Sequence, residues 1–397
     1  MIKVRITLRK TKGKMHVSNV PNSHHEWHHI LDKVGAFIKK NAVLFIAFCL
    51  AVATSVIIPP DKKYIDYFDF KTLTCLFCVL AVVCALKNVK FFTVLATKIV
   101  KLFKTTRSTV LALVYVTFIG SMLIANDMAL LTFLPLGFIV LNSTGQKRLM
   151  AFTFIMQNIA ANLGGMLTPF GNPQNLYLYS YFNIPTGAFM LTMLIPFIAS
   201  VSLITICCLF IKKKPLILNE EPVKLPKTRV AIYLLLFTLS IVIVFRIIPY
   251  QIGLVVIPLS LLFLDRKALK QVDYPLLLTF VCFFIFAGNM ARIGVIERFL
   301  SGLLSKNPLV VSALSCQFIS NVPSAILLSK FTLNWQALLI GVNIGGCGTL
   351  ISSLASLITF REYVKHNPGK TLKYIGLFSA FNFAFLFVLI GISLLIL

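Results

Sequence analysis

Twelve acidic residues occur in this 397-residue chain, and one of them stands where acids are rarely kept. Asp127 follows Asn126 in "IANDMA", deep within an apolar run, whereas the others fall in tails, loops or the ends of apolar runs. At bilayer depth a carboxylate costs about 2.5–3.5 kcal/mol on insertion scales, so its default reading is functional: it holds a cation or a proton. Capping of the helix that begins "MALLTF" is the alternative, since Asn and Asp serve well there. Two other polar stretches share the chemistry. "ISNVPS" sets Ser320 and Asn321 before Pro323, a residue suited to a first helical turn, and "NLGGMLTPFGNPQN" (162–175) gathers Gly165, Thr168, Asn172, Gln174 and Asn175. Carboxamide and hydroxyl oxygens suit a small cation, and the N–H groups that open a helix suit an anion.

Those residues need a scaffold, and composition defines its solvent. The chain is 58% hydrophobic and 13% charged, with 35 Phe and a mean hydropathy of +0.89. Apolar runs near 42–58, 72–86, 149–164, 186–211, 230–248, 252–264, 276–288, 335–360 and 372–397 approach the roughly 17–25 residues a helix needs to cross a bilayer. The fold expected is an all-α polytopic membrane protein. A formal charge of +26 would suit nucleic acid, but most of the 38 basic residues gather in 1–40, 87–107, 147–148, 212–229, 266–270 and 361–373, between the runs. By the positive-inside rule these segments face the cytoplasm, which puts the N-terminus inside, the C-terminus outside and anionic lipid beside them. Nucleic acid is not an expected partner. No small-residue cleavage site follows the first run, so no signal peptide is expected.

Two runs behave differently from plain spans. Residues 108–141 have basic flanks at both ends, so a chain that enters there must return; the simplest form is a re-entrant hairpin with its tip at "IANDMA". Residues 308–333 repeat the pattern with the tip at "ISNVPS". The repeat extends further, because "NLGGMLT" (162–168) recurs as "NIGGCGT" (343–349), and an amphipathic stretch precedes each hairpin, at 89–104 and 293–306. Counting crossings makes the halves inverted. The expected divisions are a basic cytoplasmic segment (1–41), a first transmembrane repeat (42–211), a cytoplasmic linker (212–229) and a second repeat (230–397). Inverted repeats with discontinuous helices mark secondary transporters, whose sites lie where the repeats meet near the midplane.

On that reading the carbonyls and amides freed in 162–175 face a bound ion and solute, since unpaired backbone in hydrocarbon costs several kcal/mol per group. The candidate substrate- and ion-binding residues are Asn126, Asp127, Gly165, Thr168, Asn172, Asn175, Ser320, Asn321, Asn343, Thr349, Ser352 and Ser353, with Na⁺ at Asn126, Asp127 and Asn321. An ionised Asp127 would repel an anion, so it is expected to be protonated or to face Na⁺ when one binds, and the uncharged tip at Ser320-Asn321-Val322-Pro323 is the better anion cradle. Arg246 and Arg292 lie near outer span ends and are expected to snorkel to the interface. All six His lie outside the apolar runs, so no imidazole relay is expected; "HHEWHH" (24–29) reads as an interfacial helix start rather than a metal site. Cys75 and Cys78 form a CxxC within an apolar run without a second pair, and no metal or redox role is assigned. No HExxH, Gly-x-Ser-x-Gly, phosphate loop or paired acids appear, so no enzyme and no cofactor beyond a coupling ion are expected.

At these residues the chain resembles the ion transporter superfamily, which includes divalent-anion/sodium symporters, citrate transporters, arsenite efflux permeases and one class of sodium/proton antiporters. The motifs are "AND", "GGMLTPFGNPQN", "FFIFAGNMARIGVIERF", "SNVPSAILL" and "NIGGCGTLISSLASLI", and the likeness covers essentially everything after residue 40. The resemblance implies cation and solute sites at the tips and unwound segments, and a transport domain shifting against a scaffold that often dimerises. Dicarboxylate symporters carry Ser-Asn-Thr at both tips where this chain has Ala-Asn-Asp and Ser-Asn-Val; arsenite-type permeases are similar at Asn126-Asp127 but have an acid where Ser320 stands. The implied activity is secondary transport of a small anion, a carboxylate or inorganic oxyanion, coupled to Na⁺ or H⁺, with arsenite or Na⁺/H⁺ efflux and an anion channel as alternatives.

Overall fold

The computed structural model describes residues 41–215 and 225–397; the basic N-terminal segment with "HHEWHH" and most of the linker lie outside the described residues. Among the described residues the chain forms eighteen α-helices and no strand. The first half comprises α1 (Ala42–Ile57), α2 (Phe70–Asn88), α3 (Phe91–Lys101), α4 (Thr106–Ile124), α5 (Asn126–Ser143), α6 (Met150–Gly164), α7 (Pro173–Tyr181) and α8 (Thr186–Leu209). The second comprises α9 (Lys227–Val244), α10 (Tyr250–Leu264), α11 (Arg266–Lys270), α12 (Tyr274–Ala291), α13 (Gly294–Lys306), α14 (Pro308–Ile319), α15 (Asn321–Leu328), α16 (Trp335–Ile344), α17 (Leu354–His366) and α18 (Thr371–Leu394). Seven of these helices are long and apolar enough to cross a membrane, and the molecule is an all-α polytopic membrane protein.

Local sequence sets the ends of these helices. The Asp69 carboxylate accepts from Thr72 N at 2.9 Å to start α2, and Asp273 does the same for α12 through Leu276 N at 3.0 Å. Thr105 and Ser108 form a reciprocal capping box at α4. Asn307 before Pro308 opens α14, and Asn334 opens α16. Each cap satisfies an N–H that the first helical turn leaves orphaned.

The two segments expected as re-entrant hairpins fold as helix–turn–helix pairs, α4–α5 and α14–α15, and α4 and α5 are each long and apolar enough to cross a membrane. In the first, α4 packs closely on α5, since a methyl on Gly120 of α4 would overlap the Phe133 ring of α5. In the second, Ser315 of α14 meets Ser324 of α15 at 3.0 Å. The turns are built alike: Ala125 has φ 65° and ψ 151°, Ser320 φ 72° and ψ 159°. A positive φ at a residue other than Gly costs about 1–3 kcal/mol and persists only where its surroundings impose it. Here the next residue helps impose it, since Asn126 Oδ1 accepts from Asp127 N and Asn321 Oδ1 from Val322 N, each at 2.9 Å.

The run at 335–360, expected as a span unwound at "NIGGCGT", is broken. It ends as α16 at Ile344 and resumes as α17 at Leu354, just as α6 and α7 are interrupted between Gly164 and Pro173. Both loops contain Gly-Gly, and Pro169 and Pro173 remove further donors from the first, so a continuous hydrogen-bond ladder cannot form there.

The connections fall at two opposite ends of α8, a helix of 24 residues and so about 36 Å long. At its C-terminal end the base of the first hairpin is held: Arg107 Nε donates to Ile211 O at 2.7 Å and Thr106 Oγ1 to Lys212 O at 2.6 Å. At its N-terminal end the second hairpin is held through α7, with Tyr177 Oη and Ser329 Oγ 2.8 Å apart and Lys330 Nζ 4.3 Å from the Tyr181 ring centroid.

Arg246 turns inward rather than snorkelling as expected, whereas Arg292 stays exposed. Arg246 donates to the carbonyls of Tyr179 and Ile184 and lies 4.1 Å over the Tyr179 ring; the C-terminal carbonyls of α7, the negative end of that helix, draw it inward. Arg292 pairs bidentately with Asp61 at 3.1 and 2.7 Å and donates to Tyr67 Oη. Those hydrogen bonds hold the Asp61 carboxyl below its ordinary value.

Candidate functional site

The two hairpin tips and the two broken helices meet. Together with α1 and α12 they line a partly open cavity of about 360 Å³, whose polar lining is Asn126, Asp127, Gln174, Thr279, Ser320, Asn321 and Ser353. Four helices begin at its wall: α5 at Asn126, α7 at Pro173, α15 at Asn321 and α17 at Leu354. Each helix N-terminus carries about half a positive charge and unshared N–H groups, so the cavity is preset for negative charge.

Behind this wall lies a buried network of carboxamides. Asn162, on α6, is its hub: its Oδ1 accepts from Asn126 Nδ2 at 3.2 Å and from Ser353 Oγ at 2.8 Å, while its Nδ2 donates to Gly346 O at 3.3 Å. One residue therefore ties the first tip, its own broken helix and the second broken loop together. A side chain at Gly346 would fall 3.3 Å from Asn321 Nδ2 and 3.5 Å from Asn162 Oδ1, which places the second tip at the same point. Asn343, the matching position in the second half, reaches back across: its Nδ2 donates to Asn175 Oδ1 at 2.6 Å and its Oδ1 accepts from Asn172 Nδ2 at 3.2 Å.

The freed backbone is satisfied mostly from within the protein, in contrast to the expectation that a passenger would do so. In the first loop the Asn175 amide faces the carbonyls of Gly165, Met166 and Thr168 at 3.0, 3.3 and 3.3 Å. In the second, Gln317 Nε2 donates to Gly345 O at 2.9 Å and Cys347 O at 3.1 Å, and its Oε1 accepts from Thr349 N at 2.9 Å. The two threonines are occupied likewise. Thr168 Oγ1 donates to Met122 O at 2.8 Å and Thr349 Oγ1 to Gln317 O at 3.0 Å, each binding the carbonyl four residues before its hairpin's Asn. What remains unmet is a set of side-chain acceptors: Asp127 Oδ1, Asn172 Oδ1 and Gln174 Oε1 are buried without a donor. Asp127 caps nothing through that oxygen, and Asn126 supplies the local bond at the tip.

Of the predicted residues, Asn126, Asp127, Ser320, Asn321 and Ser353 reach the cavity. Gly165, Thr168, Asn172, Asn175, Asn343, Thr349 and Ser352 stand in the layer behind it. Ser352 donates to Gly346 O at 2.8 Å, and its own carbonyl accepts from Asn321 N at 2.9 Å. A methyl on Gly165 would overlap Asn172 Oδ1, so this glycine is required by close approach. Sequence reasoning missed Asn162 and Gln317. The signal for Asn162 was present, because "NLGG" and "NIGG" align it with Asn343, and Asn158 one turn earlier shares its face. Gln317 faces Met122 in the repeat and left no such trace.

This arrangement can hold a small anion against helix N-termini and offer oxygens to a cation beside it. Comparisons with known proteins agree with a transport role. A family model described as citrate transporter matches residues 30–341. An uncharacterised transporter of Methanocaldococcus jannaschii is 34% identical over 330 residues, covering 83% of this chain and 90% of the relative. The inner membrane protein YbiR of Escherichia coli is 30% identical over 291 residues, 68% of this chain and 74% of the relative. The chain belongs to the citrate transporter family and is a multi-pass membrane transporter.

Proposed function

We propose that this protein is a secondary active transporter that moves a small anion, a carboxylate or inorganic oxyanion, across the cell membrane in symport with Na⁺ or H⁺. The observation that carries the reading is the convergence of both hairpin tips and four helix N-termini on one cavity beside the unpartnered Asp127 Oδ1. The helix ends receive the anion, chiefly at Ser320, Asn321 and Ser353. The cation binds Asp127 with help from Asn126 and Asn321, neutralising the carboxylate that would otherwise oppose the anion. The halves act as inverted repeats, with hairpins entering from opposite membrane faces, the N-terminus in the cytoplasm and the C-terminus outside. A homodimer holds the scaffold while the tips and broken helices move.

The Ala-Asn-Asp tip favours one second reading, efflux of arsenite or Na⁺ against protons, in which Asp127 exchanges its proton for the cargo. Proteoliposome uptake of citrate, succinate, sulfate, arsenite and sodium under imposed pH or sodium gradients separates the two. Asp127→Asn is expected to abolish the cation dependence of uptake; unchanged coupling in that variant removes Asp127 from the mechanism. A channel would conduct without a cation gradient and show no solute counterflow.

A further inference from the structure

Beside the first hairpin lies a second concavity, of about 560 Å³, lined by other residues than the cavity at the tips. Among its lining residues are Leu95 of α3, Ala112 and Ile119 of α4, Phe133 of α5 and Leu234 of α9. Ala112 and Phe133 are buried, whereas Leu95, Ile119 and Leu234 are exposed. Since α4 and α9 are long and apolar enough to cross a membrane, the groove opens on a surface that hydrocarbon covers. Its lining carries one polar side chain among the described residues, Tyr115, whose hydroxyl is bonded to Thr205. A space so lined holds water poorly, and an apolar occupant well.

The sequence of α3 makes one face of this groove. Phe92, Leu95, Ala96 and Ile99 line it at the i, i+3, i+4, i+7 spacing of a helical stripe, and Lys98 stands exposed off that stripe. Such a helix lies along a membrane interface. Phe103, just beyond α3, also lines the groove, and lysines from two distant segments gather next to it. Lys104 follows directly. Thr106 binds the segment after α8: its N–H donates to Lys214 O at 2.9 Å, and its Oγ1 donates to Lys212 O at 2.6 Å and accepts from Lys214 N at 3.1 Å. These bonds use only backbone atoms of the lysines, and Lys104, Lys212, Lys213 and Lys214 are all exposed.

An apolar groove with a basic cluster at one end has the charge pattern of a lipid. We infer that it is a binding site for an anionic phospholipid, with one acyl chain along Leu95, Ala112 and Ile119 and the phosphate among Lys104, Lys212, Lys213 and Lys214. Burial of hydrocarbon holds the chain, and the lysines select a negative headgroup over a neutral one. The lining belongs partly to the first hairpin and partly to α2, through Leu86, and α9, so the bound lipid bridges them. The inference goes beyond anion transport and does not depend on which solute is carried.

The test uses the purified full chain in a neutral detergent. Retained lipid is counted by native mass spectrometry, and melting temperature is followed on addition of dioleoyl phosphatidylglycerol, dioleoyl phosphatidylcholine or glycerol 3-phosphate. Phosphatidylglycerol is expected to bind at least about tenfold more tightly than phosphatidylcholine, and glycerol 3-phosphate, a phosphate without chains, to leave the melting temperature unchanged. Lys104→Ser, Lys212→Ser and Lys213→Ser combined should lower that preference about tenfold with the melting temperature in phosphatidylcholine unaltered. Ala112→Phe fills the groove with the lysines intact and should weaken phosphatidylglycerol by a similar factor; Leu95→Trp, at an exposed position, crowds the same groove and serves where the buried change unfolds the chain. Equal binding of the two lipids, stabilisation by glycerol 3-phosphate alone, an unchanged preference in the lysine variant, or wild-type binding in the groove variants overturns the site. None of these outcomes bears on anion transport, which uptake tests separately.

Discussion

Asn162→Ala tests whether the network behind the cavity governs the cation seat. In the wild-type chain the Asn126 carboxamide, which lines the cavity, donates to Asn162 Oδ1 at 3.2 Å, and Ser353 Oγ donates to the same oxygen at 2.8 Å. Truncation strands both donors. The Gly346 carbonyl keeps its bond from Ser352, so the damage falls on the tip and on the start of α17. A buried donor left without a partner costs about 1–3 kcal/mol, and that cost is released if Asn126 leaves the orientation in which it assists Asp127. Expressed as cation affinity, it amounts to roughly a tenfold to hundredfold rise in half-saturation, the range seen when outer-shell groups of ion sites are removed. The assay is solute uptake into proteoliposomes as a function of sodium, and separately of proton, concentration. Asn158→Ala is the control: it lies one turn earlier on the same face of α6, and its partners Ser356, Thr359 and Asn382 belong to no tip. It should lower thermal stability and leave half-saturation where it was. An unaltered half-saturation in Asn162→Ala, or an equal shift in Asn158→Ala, refutes the role given to the network.

Gln317→Leu should strip the Gly345 and Cys347 carbonyls and the Thr349 N–H of their shared partner; at about 1–3 kcal/mol per stranded group a loss of at least about 3 kcal/mol is expected, read as a large drop in melting temperature in detergent, and a drop matching a surface substitution counts against it. Thr168→Val and Thr349→Val each remove one matched hydrogen bond to a hairpin arm, so each should cost about 0.5–1.5 kcal/mol with solute affinity unchanged; a selective loss of solute binding in either shows that its hydroxyl serves the ligand instead. The Asp61 carboxyl is held below its ordinary value of 3.8, first by hydrogen bonds from Arg292, so its contribution is complete above that value and disappears as pH falls through the lower folded value. Asp61→Asn should therefore flatten part of the acid side of the melting-temperature profile, and an unchanged acid limb contradicts the linkage.

The features legible in the sequence were those that the bilayer makes costly. A run of apolar residues must be helical, an acid within it must have a use, and a cluster of Gly, Pro and Asn inside it must break the helix; Asp127, the tips at Asn126 and Asn321, and the loop after Gly164 followed from that logic. The match of "NIGGCGT" to "NLGGMLT" carried the same expectation to the break inside 335–360. The logic failed on the backbone of the loops. Periodicity shows that carbonyls are freed but not what fills them, and Asn175 and Gln317 do so through side-chain geometry that spacing does not encode. The partners of Arg246 and Arg292 escaped for a related reason: hydropathy places a cation at a span end, while its partners come from segments as distant as Asp61 and Tyr179.

The two tips share one frame and differ in charge, and on the proposed function that difference would couple two ligands. Ala125 and Ser320 have the same backbone conformation, and Asn126 and Asn321 make the same bond to the next N–H, so each tip presents a helix N-terminus to the cavity in the same way. The next side chain is Asp127 in one and Val322 in the other. Val322 leaves the positive end of α15 open to an anion. Asp127, with an oxygen that no protein donor meets, would on that reading oppose the anion until a cation or proton neutralises it. The affinity gained by the anion when the cation arrives must equal the affinity gained by the cation when the anion arrives, because coupling between two bound ligands is reciprocal. Removing the carboxylate in Asp127→Val should therefore erase both effects together: the anion binds without regard to sodium or pH, and the cation is no longer held more tightly in its presence. Survival of the mutual effect in that variant would move the coupling elsewhere in the molecule.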